Sequence, residues 1–357
     1  MRGQVTPLLY PLRSTCYNFK AMKVSALGEF GLIDLLAKMI SGAQDQSAAS
    51  LQKLIIGIGD DAAAWKAEAG TQLVTTDSLF QDVHFRLETT PWYELGWKSL
   101  AVNLSDIAAM GGVPEYAVIS LAVPPDTEVD GVKALYQGML DLARRFGVAI
   151  VGGDTCRAPL VSITLTVLGR ARGKEGRVLT RSAARPGDKI AVTGALGAAA
   201  AGMEMLDKKL KLDAESGRQL KKTFLQPEPR VAEGQTLVGL GVKAAIDISD
   251  GLIADLRHIC ECSRVGAKVE ADKIPVAPAV RKHFGERALE LAAAGGEDYE
   301  LLFTASGEVV DKVRTKISCP VTIIGEIVAE GPGRVILVDK HGRRIDLSKS
   351  GWEHFSA

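Results

Sequence analysis

Leu54-Ile55-Ile56-Gly57-Ile58-Gly59-Asp60-Asp61-Ala62-Ala63 runs a short apolar segment into two glycines and then presents two adjacent carboxylates. That order predicts a strand whose end delivers acid to a cleft. Neighbouring aspartates repel each other, and holding both ionised requires a divalent cation or basic partners. The glycines let backbone or ligand approach closely. A Gly-Asp-Asp triplet by itself fits a solvated turn equally well; what decides between the two readings is that the same device recurs along the chain.

The first recurrence is Gln72-Leu73-Val74-Thr75-Thr76-Asp77-Ser78, a predicted strand that ends in hydroxyls and a carboxylate, all hard oxygen donors suited to magnesium. Asp82 and His84 follow in a loop, where the histidine is either surface or substrate-facing. Residues 92–110 have helical spacing, with Ser99, Asn103 and Asp106 three or four apart on one polar stripe, so Asn103 and Asp106 are expected to reach the same ligand. The residues around Asp106 are nearly all apolar, which points to burial. Gly111-Gly112-Val113-Pro114 stops this helix. Residues 116–123 read as a strand and 129–146 as a helix. Val148-Ala149-Ile150-Val151-Gly152-Gly153-Asp154-Thr155 then repeats the opening device, and residues 161–168 alternate as a half-buried strand.

Residues 170–174, basic and without an apolar period, mark a boundary. Beyond it Arg181 precedes a strand over 189–193, and Gly194-Ala195-Leu196-Gly197 opens an alanine-rich helix. Strand, glycine turn and helix could hold phosphate at the helix N-terminus. The spacing matches neither known phosphate-loop fingerprint, and close helix-to-sheet packing explains the glycines better. Residues 207–222 read as solvated surface, and Gln226-Pro227-Glu228-Pro229-Arg230 as a rigid turn. Ala244-Ala245-Ile246-Asp247-Ile248-Ser249-Asp250-Gly251 places Asp247 and Ser249 on one face of an extended segment, with Asp250 either in the cleft or capping the helix that follows. Gly295-Gly296-Glu297-Asp298-Tyr299-Glu300 sets three acids beside a glycine pair. Trp352, near the end of the sequence, either covers a core edge or stacks on an aromatic ligand.

Composition bounds the reading. A chain of 357 residues exceeds what one core usually organises, so two domains are expected, and 46% hydrophobic with 24% charged residues is globular composition. Basic and acidic residues balance at 43 each, so no overall field favours nucleic acid or an anionic membrane. Five scattered cysteines without paired spacing argue against a disulfide framework or a structural zinc site and for a reducing, cytoplasmic compartment. Cys156, close to Asp154, is the one candidate nucleophile among them. Pro11 breaks the early apolar patch before signal-peptide length, and no stretch is long enough to span a bilayer. Residues 1–26 read as a mobile extension or an upstream start. Helical spacing begins over residues 30–40, and residues 41–50 read as a loop.

Taken together and in this order, Gly57-Ile58-Gly59-Asp60-Asp61, Thr75-Thr76-Asp77, Asn103-Leu104-Ser105-Asp106-Ile107-Ala108-Ala109-Met110-Gly111, Gly152-Gly153-Asp154-Thr155, Ile246-Asp247-Ile248-Ser249-Asp250-Gly251 and Gly295-Gly296-Glu297-Asp298-Tyr299-Glu300 resemble the thiamine-monophosphate kinase family, from about Gly28 to the end of the sequence. The resemblance implies an α/β (α+β) fold of the aminoimidazole ribonucleotide synthetase superfamily. Mixed sheets flanked by helices would form an N-terminal metal, ATP and dimerisation domain (27–170) and a C-terminal domain completing the site (175–357). It further implies ATP and thiamine monophosphate as substrates, several Mg2+ ions, and a homodimer.

By motif position, Asp61, Thr75, Thr76, Asp77, Asp106, Asp154, Asp247 and Asp250 resemble metal ligands, and Gly153, Asp154, Arg181 and Ser249 resemble nucleotide contacts. His84, Glu297 and Trp352 resemble substrate contacts, while Asp154, Arg181 and Asp250 are the candidate catalytic groups. Asp60 is set aside, since the pattern assigns metal to the second aspartate. The inventory suits phosphoryl transfer, because a carboxylate-held magnesium cluster offsets the repulsion between ATP and a second phosphate. Two other readings stay open: a sister enzyme of the superfamily acting on a purine precursor or in hydrogenase maturation, and a non-catalytic magnesium or nucleotide-binding protein.

Overall fold

The computed structural model describes residues 22–44, 47–58, 62–67, 69–172, 176–347 and 351. The expectations for Asp60, Asp61 and Trp352, and for nearly all of the 1–26 extension, fall on residues outside that set. Helix α1 (Val24–Ala43) buries Leu32, Leu36 and Ile40, a stripe of period four that is its only fully covered face. Of residues 41–50, expected as a loop, 41–43 finish α1 and 49–50 open a short helix, α2 (Ala49–Lys53), while 44, 47 and 48 lie outside both. Small and polar residues there carry little local helix signal; tertiary contacts supply the order, since Ser50 Oγ donates to Gly147 O and Tyr116 Oη donates to Ser50 O. A ribbon of β1 (Leu54–Ile56) and β2 (Ala64–Trp65) follows, with the Trp65 ring 4.7 Å from that of Tyr116.

The first large sheet is built from β3 (Gln72–Phe80), β4 (Val113–Val123), β5 (Ala149–Arg157) and β6 (Ser162–Arg170), in the order β3-β6-β4-β5. Only β4 and β5 run parallel, joined across α4 (Val129–Phe146); the other pairs are antiparallel. Alternation along the strands sends Ile119, Leu121, Ile163, Leu165 and Val167 into the core under α4 and α3 (Trp92–Ala109). The opposite face stays largely open. The β1–β2 ribbon covers it only near Tyr116, Ala149 and Val151, while Val74 is 70% exposed and Phe80 47%.

Helix α3 is the spine of the molecule, and fourteen of its eighteen residues are buried. A helix covered on nearly all sides must have partners all round. On one side it meets α4 at very short range: a β-carbon on Gly96 would lie 1.8 Å from Leu135 O, and one on Gly138 2.0 Å from Tyr93 O. Gly96→Ala is therefore expected to destabilise by about 1–3 kcal/mol through overpacking, in spite of alanine's better helix propensity. A thermal melt checks this, and an unchanged or raised Tm would contradict the close approach.

On the other side α3 meets the second half of the chain. There β7 (Lys189–Thr193) leads to α5 (Ala198–Asp207), α6 (Ala214–Leu225), α7 (Val231–Gly239), β8 (Ala244–Asp247) and α8 (Leu252–Ser263). Next come β9 (Gly266–Glu270), α9 (Pro278–Phe284), α10 (Ala288–Ala294), β10 (Leu301–Ala305), α11 (Gly307–Lys316), β11 (Val321–Val328) and β12 (Val335–Val338). The six strands order as β12-β9-β11-β7-β10-β8, antiparallel except for β12 with β9. One face is buried throughout, and the other is buried over β7, β10 and β8 but exposes Lys268, Glu326 and Ile336 on the β12-β9-β11 side. Ile190, Val192, Ile246 and Leu302 point into the core under α5, α8, α9 and α10, whereas Ala191, Ala245, Leu301 and Phe303 join the core shared with α3 and α7.

Residues 207–222, expected as plain surface, carry α6. Asp213 caps it by accepting from Ser216 N, and Leu220 and Phe224 form a buried i, i+4 pair that the surrounding lysines mask in the sequence. No helix among the described residues is long and apolar enough to cross a membrane.

Candidate active site

Carboxylates from three elements converge where α3 meets the two sheets. Thr75 and Asp77 come from β3, Asp106 from α3 and Asp247 from the end of β8. Thr75 Oγ1 donates to Asp106 Oδ2 at 2.5 Å, and Ser105 Oγ donates to Asp247 Oδ2 at 2.7 Å across the two halves of the chain. Burial pushes Asp77 up to about 7, and the Asp106 charge and a hydrogen bond with Asp106 push the same way. Asp247 is also raised to about 7, first by burial and then by the Asp106 charge, against the pull of Ser105 and Arg181. Asp106 is raised by burial, while hydrogen bonds from Thr75 and Asp77 and the Arg181 charge draw it down. Three crowded acids thus face too little positive charge to ionise together. The donor set is hard oxygen throughout, and a divalent cation is the group that fits it.

Arg181 owes its position to a stitched segment. Leu179 N donates to Met110 O at the end of α3, Thr180 N donates to Lys243 O, and Ala245 N donates to Thr180 O. Arg181 O accepts from Ser263 Oγ, so the backbone is held while the guanidinium's charge acts on Asp106 and Asp247.

Beside the acids, residues 248–251 and 295–300 are laced together. Ile248 N donates to Glu300 O, Tyr299 N to Ile248 O and Glu297 N to Ser249 O, each at 2.8 Å. Asp255 Oδ2 accepts from the backbone N–H of Ser249, Asp250 and Gly251 at 3.1, 3.2 and 3.0 Å. Burial and the Asp247 and Asp250 charges raise Asp255 to about 8 in spite of these backbone donors. Asp250, open to a capping role from its sequence position, is not the N-cap residue of α8. The N-cap of α8 is Gly251, and Asp255, reaching back from inside the helix, ties down the loop.

The three acids of the glycine-pair motif separate by role. Asp298 accepts from Gly197 N at 2.7 Å and Ala199 N at 3.2 Å, filling the N-terminus of α5 with a protein carboxylate where phosphate would otherwise sit. Glu300 takes a two-point contact from Arg230, with Nε at 2.7 Å and Nη2 at 2.5 Å, and a 2.6 Å bond from Thr193 Oγ1. Glu300 also explains Gly194, whose β-carbon would lie 2.0 Å from its Oε1. Packing therefore accounts for the glycines before α5. Only Glu297 remains toward the cleft, with Lys98 Nζ at 2.8 Å. Glu297 and Tyr299 both hold positive φ, 68° and 50°, conformations rare for non-glycine residues and typical of functional loops. Burial and four nearby carboxylates, of Glu297, Asp247, Asp77 and Asp106, raise the Tyr299 phenol well above its ordinary range and keep it neutral.

Other candidates stand apart. Thr76 lies on the open face of the first sheet, donating to Leu165 O and accepting from Thr166 Oγ1. Asp154 pairs with Ser120 in register, exposed, on that same face and three strand spacings (roughly 14 Å) from β3. Gly153 is needed by the sheet itself, since a β-carbon there would meet Ile119 O at 2.1 Å. His84 accepts at Nδ1 from Phe80 N at 3.0 Å in the turn after β3. Asn103 is fully buried and donates to Ser99 O, while its Oδ1 has no partner among the described residues. Thr75, Asp77, Asp106, Asp247 and Arg181 come together, with Ser249, Asp250 and Glu297 on the adjoining loops. Sequence reasoning missed Lys98, Ser105 and Asp255. Ser105 stood inside a recognised motif, but its spacing was read for one helix face when it serves another.

Residues 59–171 match the family model "AIR synthase related protein, N-terminal domain", and residues 185–338 match "AIR synthase related protein, C-terminal domain". The chain is 38% identical over 337 residues to the thiamine-monophosphate kinase of Escherichia coli (strain K12), covering 93% of this chain and 99% of that one. Among solved structures, the thiamine-monophosphate kinase from Stenotrophomonas maltophilia K279a superposes with a TM-score of 0.75 at 36% identity, covering 88% of this chain and 96% of that one. AaThiL complexed with AMPPCP and TMP gives 0.72 at 32% identity, covering 94% and 99%.

Proposed function

This chain belongs to the thiamine-monophosphate kinase family, and we propose that it transfers the γ-phosphoryl group of ATP directly, in line, to thiamine monophosphate, giving thiamine diphosphate and ADP. The observation that carries the reading is the cluster of Asp77, Asp106 and Asp247, one buried and two half-buried acids with raised pKa values, against which Arg181 is the counter-charge among the described residues. Such a cluster is costly to fold around unless cations occupy it. A relative of 32% identity was solved complexed with AMPPCP and TMP, an ATP-like and substrate-like pair that supports the same assignment here.

Asp77, Asp106 and Asp247, with Thr75 and Asp250, would hold Mg2+; Asp61, Thr76 and Asp154 are further ligands proposed from the family resemblance, of which Thr76 and Asp154 lie on the other face of the first sheet. A cation held by these carboxylates would supply charge that offsets the repulsion between the phosphates. The chain's own residues bind and orient. Arg181 offers charge to the transferring group, and Gly153, Asp154 and Ser249 serve the nucleotide. His84, Glu297 and Trp352 serve the thiamine end. No aspartate in this scheme needs to move a proton.

A homodimer in the cytoplasm completes the reading. Its support is the open face of the first sheet, where exposed Val74 and Phe80 lie on the same side as Thr76 and Asp154. A partner across that face would cover the apolar residues.

The decisive experiment supplies ATP, Mg2+ and thiamine monophosphate and assays thiamine diphosphate. Stoichiometric thiamine diphosphate and ADP are expected. ATP consumption without thiamine diphosphate would favour a sister enzyme of the superfamily, and nucleotide binding without any turnover would favour a binding protein.

A further inference from the structure

Lys98 is a lysine 2% exposed in the middle of α3, and its ammonium meets two groups of the second half of the chain. Nζ lies 2.8 Å from Glu297 Oε2 and 3.8 Å from the centre of the Phe224 ring on α6. The neighbouring Trp97 donates from Nε1 to Pro227 O at 2.9 Å, so this part of α3 is clamped against the 224–228 segment. Burying an ammonium is costly, and an apolar side chain of similar volume would fill the same space at least as well. The retained charge therefore needs a reason other than packing.

Glu297 supplies one. Its backbone has φ 68°, a conformation that a non-glycine residue keeps only when its surroundings enforce it. Its side chain stays 27% exposed toward the cleft. With Oε2 committed to Lys98, the carboxylate is oriented, and Oε1 is left to accept from an N–H or cationic group of a ligand. A second contact makes the arrangement a ruler. Ser105 is seven residues after Lys98, on the same helix face, and holds Asp247 of the acid cluster. At 1.5 Å per residue the two contacts stand roughly 10 Å apart along a rigid, buried helix. One end addresses the phosphates, the other the organic part of the acceptor.

We infer that Lys98 is a positioning residue for the acceptor: it aims Glu297 and fixes its distance from the acid cluster, so that the site selects an acceptor carrying a cationic or N–H-bearing group about one such length from its phosphate. This assignment rests on Glu297 being a substrate contact in the proposed kinase. Lys98→Met should raise KM for thiamine monophosphate roughly ten- to hundred-fold, the usual range for losing a partner that orients a site residue, while KM for ATP stays unchanged. Glu297→Gln should give a similar rise, and the double variant no more than either alone. Lys98→Arg should restore most of the loss.

The parent's turnover is measured first. If it forms no thiamine diphosphate, the kinase reading fails. If it does, and Lys98→Met raises both KM values alike or adds to Glu297→Gln, Lys98 is a structural strut and the assignment is overturned. Should Lys98→Met not fold, Phe224→Leu removes the ring beneath the ammonium but keeps the ion pair. A smaller rise in KM for thiamine monophosphate alone would then support the assignment, and a proportional rise in both would refute it.

Discussion

Asp247→Asn is expected to lower kcat by two orders of magnitude or more, the usual scale for losing a principal electrostatic element, and to leave the cation-free protein at least as stable as the parent. The amide oxygen of the new side chain can still accept from Ser105, so the contact between the two halves survives. What disappears is a buried negative charge facing Asp106 and Asp77. The pH dependence has a definite sign. Folding raises Asp77 and Asp247 from an ordinary 3.8 to about 7, so between those values the folded state binds more protons than the unfolded one. Stability from these groups is full below about pH 4 and is lost as pH rises through 7. In the variant one of these contributions is removed, and the cation-free Tm should fall less steeply over that window. Mg2+ should raise the parent's Tm at pH 8, where the acids most need a counter-charge, and raise the variant's much less. A variant that kept near-parental turnover at ordinary Mg2+ would remove Asp247 from the ligand set.

The two-domain α/β fold was legible because its signals are local and repeated. Apolar runs that end in glycine and acid marked strand ends, and residues 129–146 show helical spacing over their whole length, which is the extent of α4. Elements ordered by tertiary contact were not legible. The short helix α2 depends on a bond to Gly147 and another from Tyr116. In α6 the apolar pair Leu220 and Phe224 is diluted by charged neighbours.

The site divides along the same line. Strand-end acids announced themselves, but which acid faces the cleft depends on a backbone detail that composition does not carry. Glu297 and Tyr299 take left-handed φ, and Asp298 and Glu300 are thereby committed to α5 and to Arg230. Asp255 was hidden for another reason. Its task, accepting three N–H groups from the loop before its own helix, leaves no motif beyond a polar residue at the fourth position of α8.

Free thiamine should be refused, with kcat/KM lower than that for thiamine monophosphate by several orders of magnitude, on the order of 10⁴ or more where a site built for a polar group meets an analogue lacking it. A phosphate monoester oxygen is already anionic at neutral pH and attacks without losing a proton, whereas an alcohol must be deprotonated during attack by a positioned base. Among the described residues the cleft is poor in free bases, since Asp255 already accepts from three backbone N–H groups. Asp77, Asp106 and Asp247 are the proposed cation ligands, Tyr299 is held neutral with its pKa far above the working range, and Glu297 is tied to Lys98. His84 is the remaining candidate, and its Nδ1 already accepts from Phe80 N, which leaves the neutral ring with an N–H at Nε2 and no lone pair to offer. Thiamine would also leave empty the coordination positions that its phosphate should fill, so both binding and chemistry oppose it. Comparing initial rates for the two acceptors at saturating ATP checks the expectation. Comparable rates would sink the base-free mechanism, and loss of the thiamine reaction alone in His84→Ala would then identify His84 as the base.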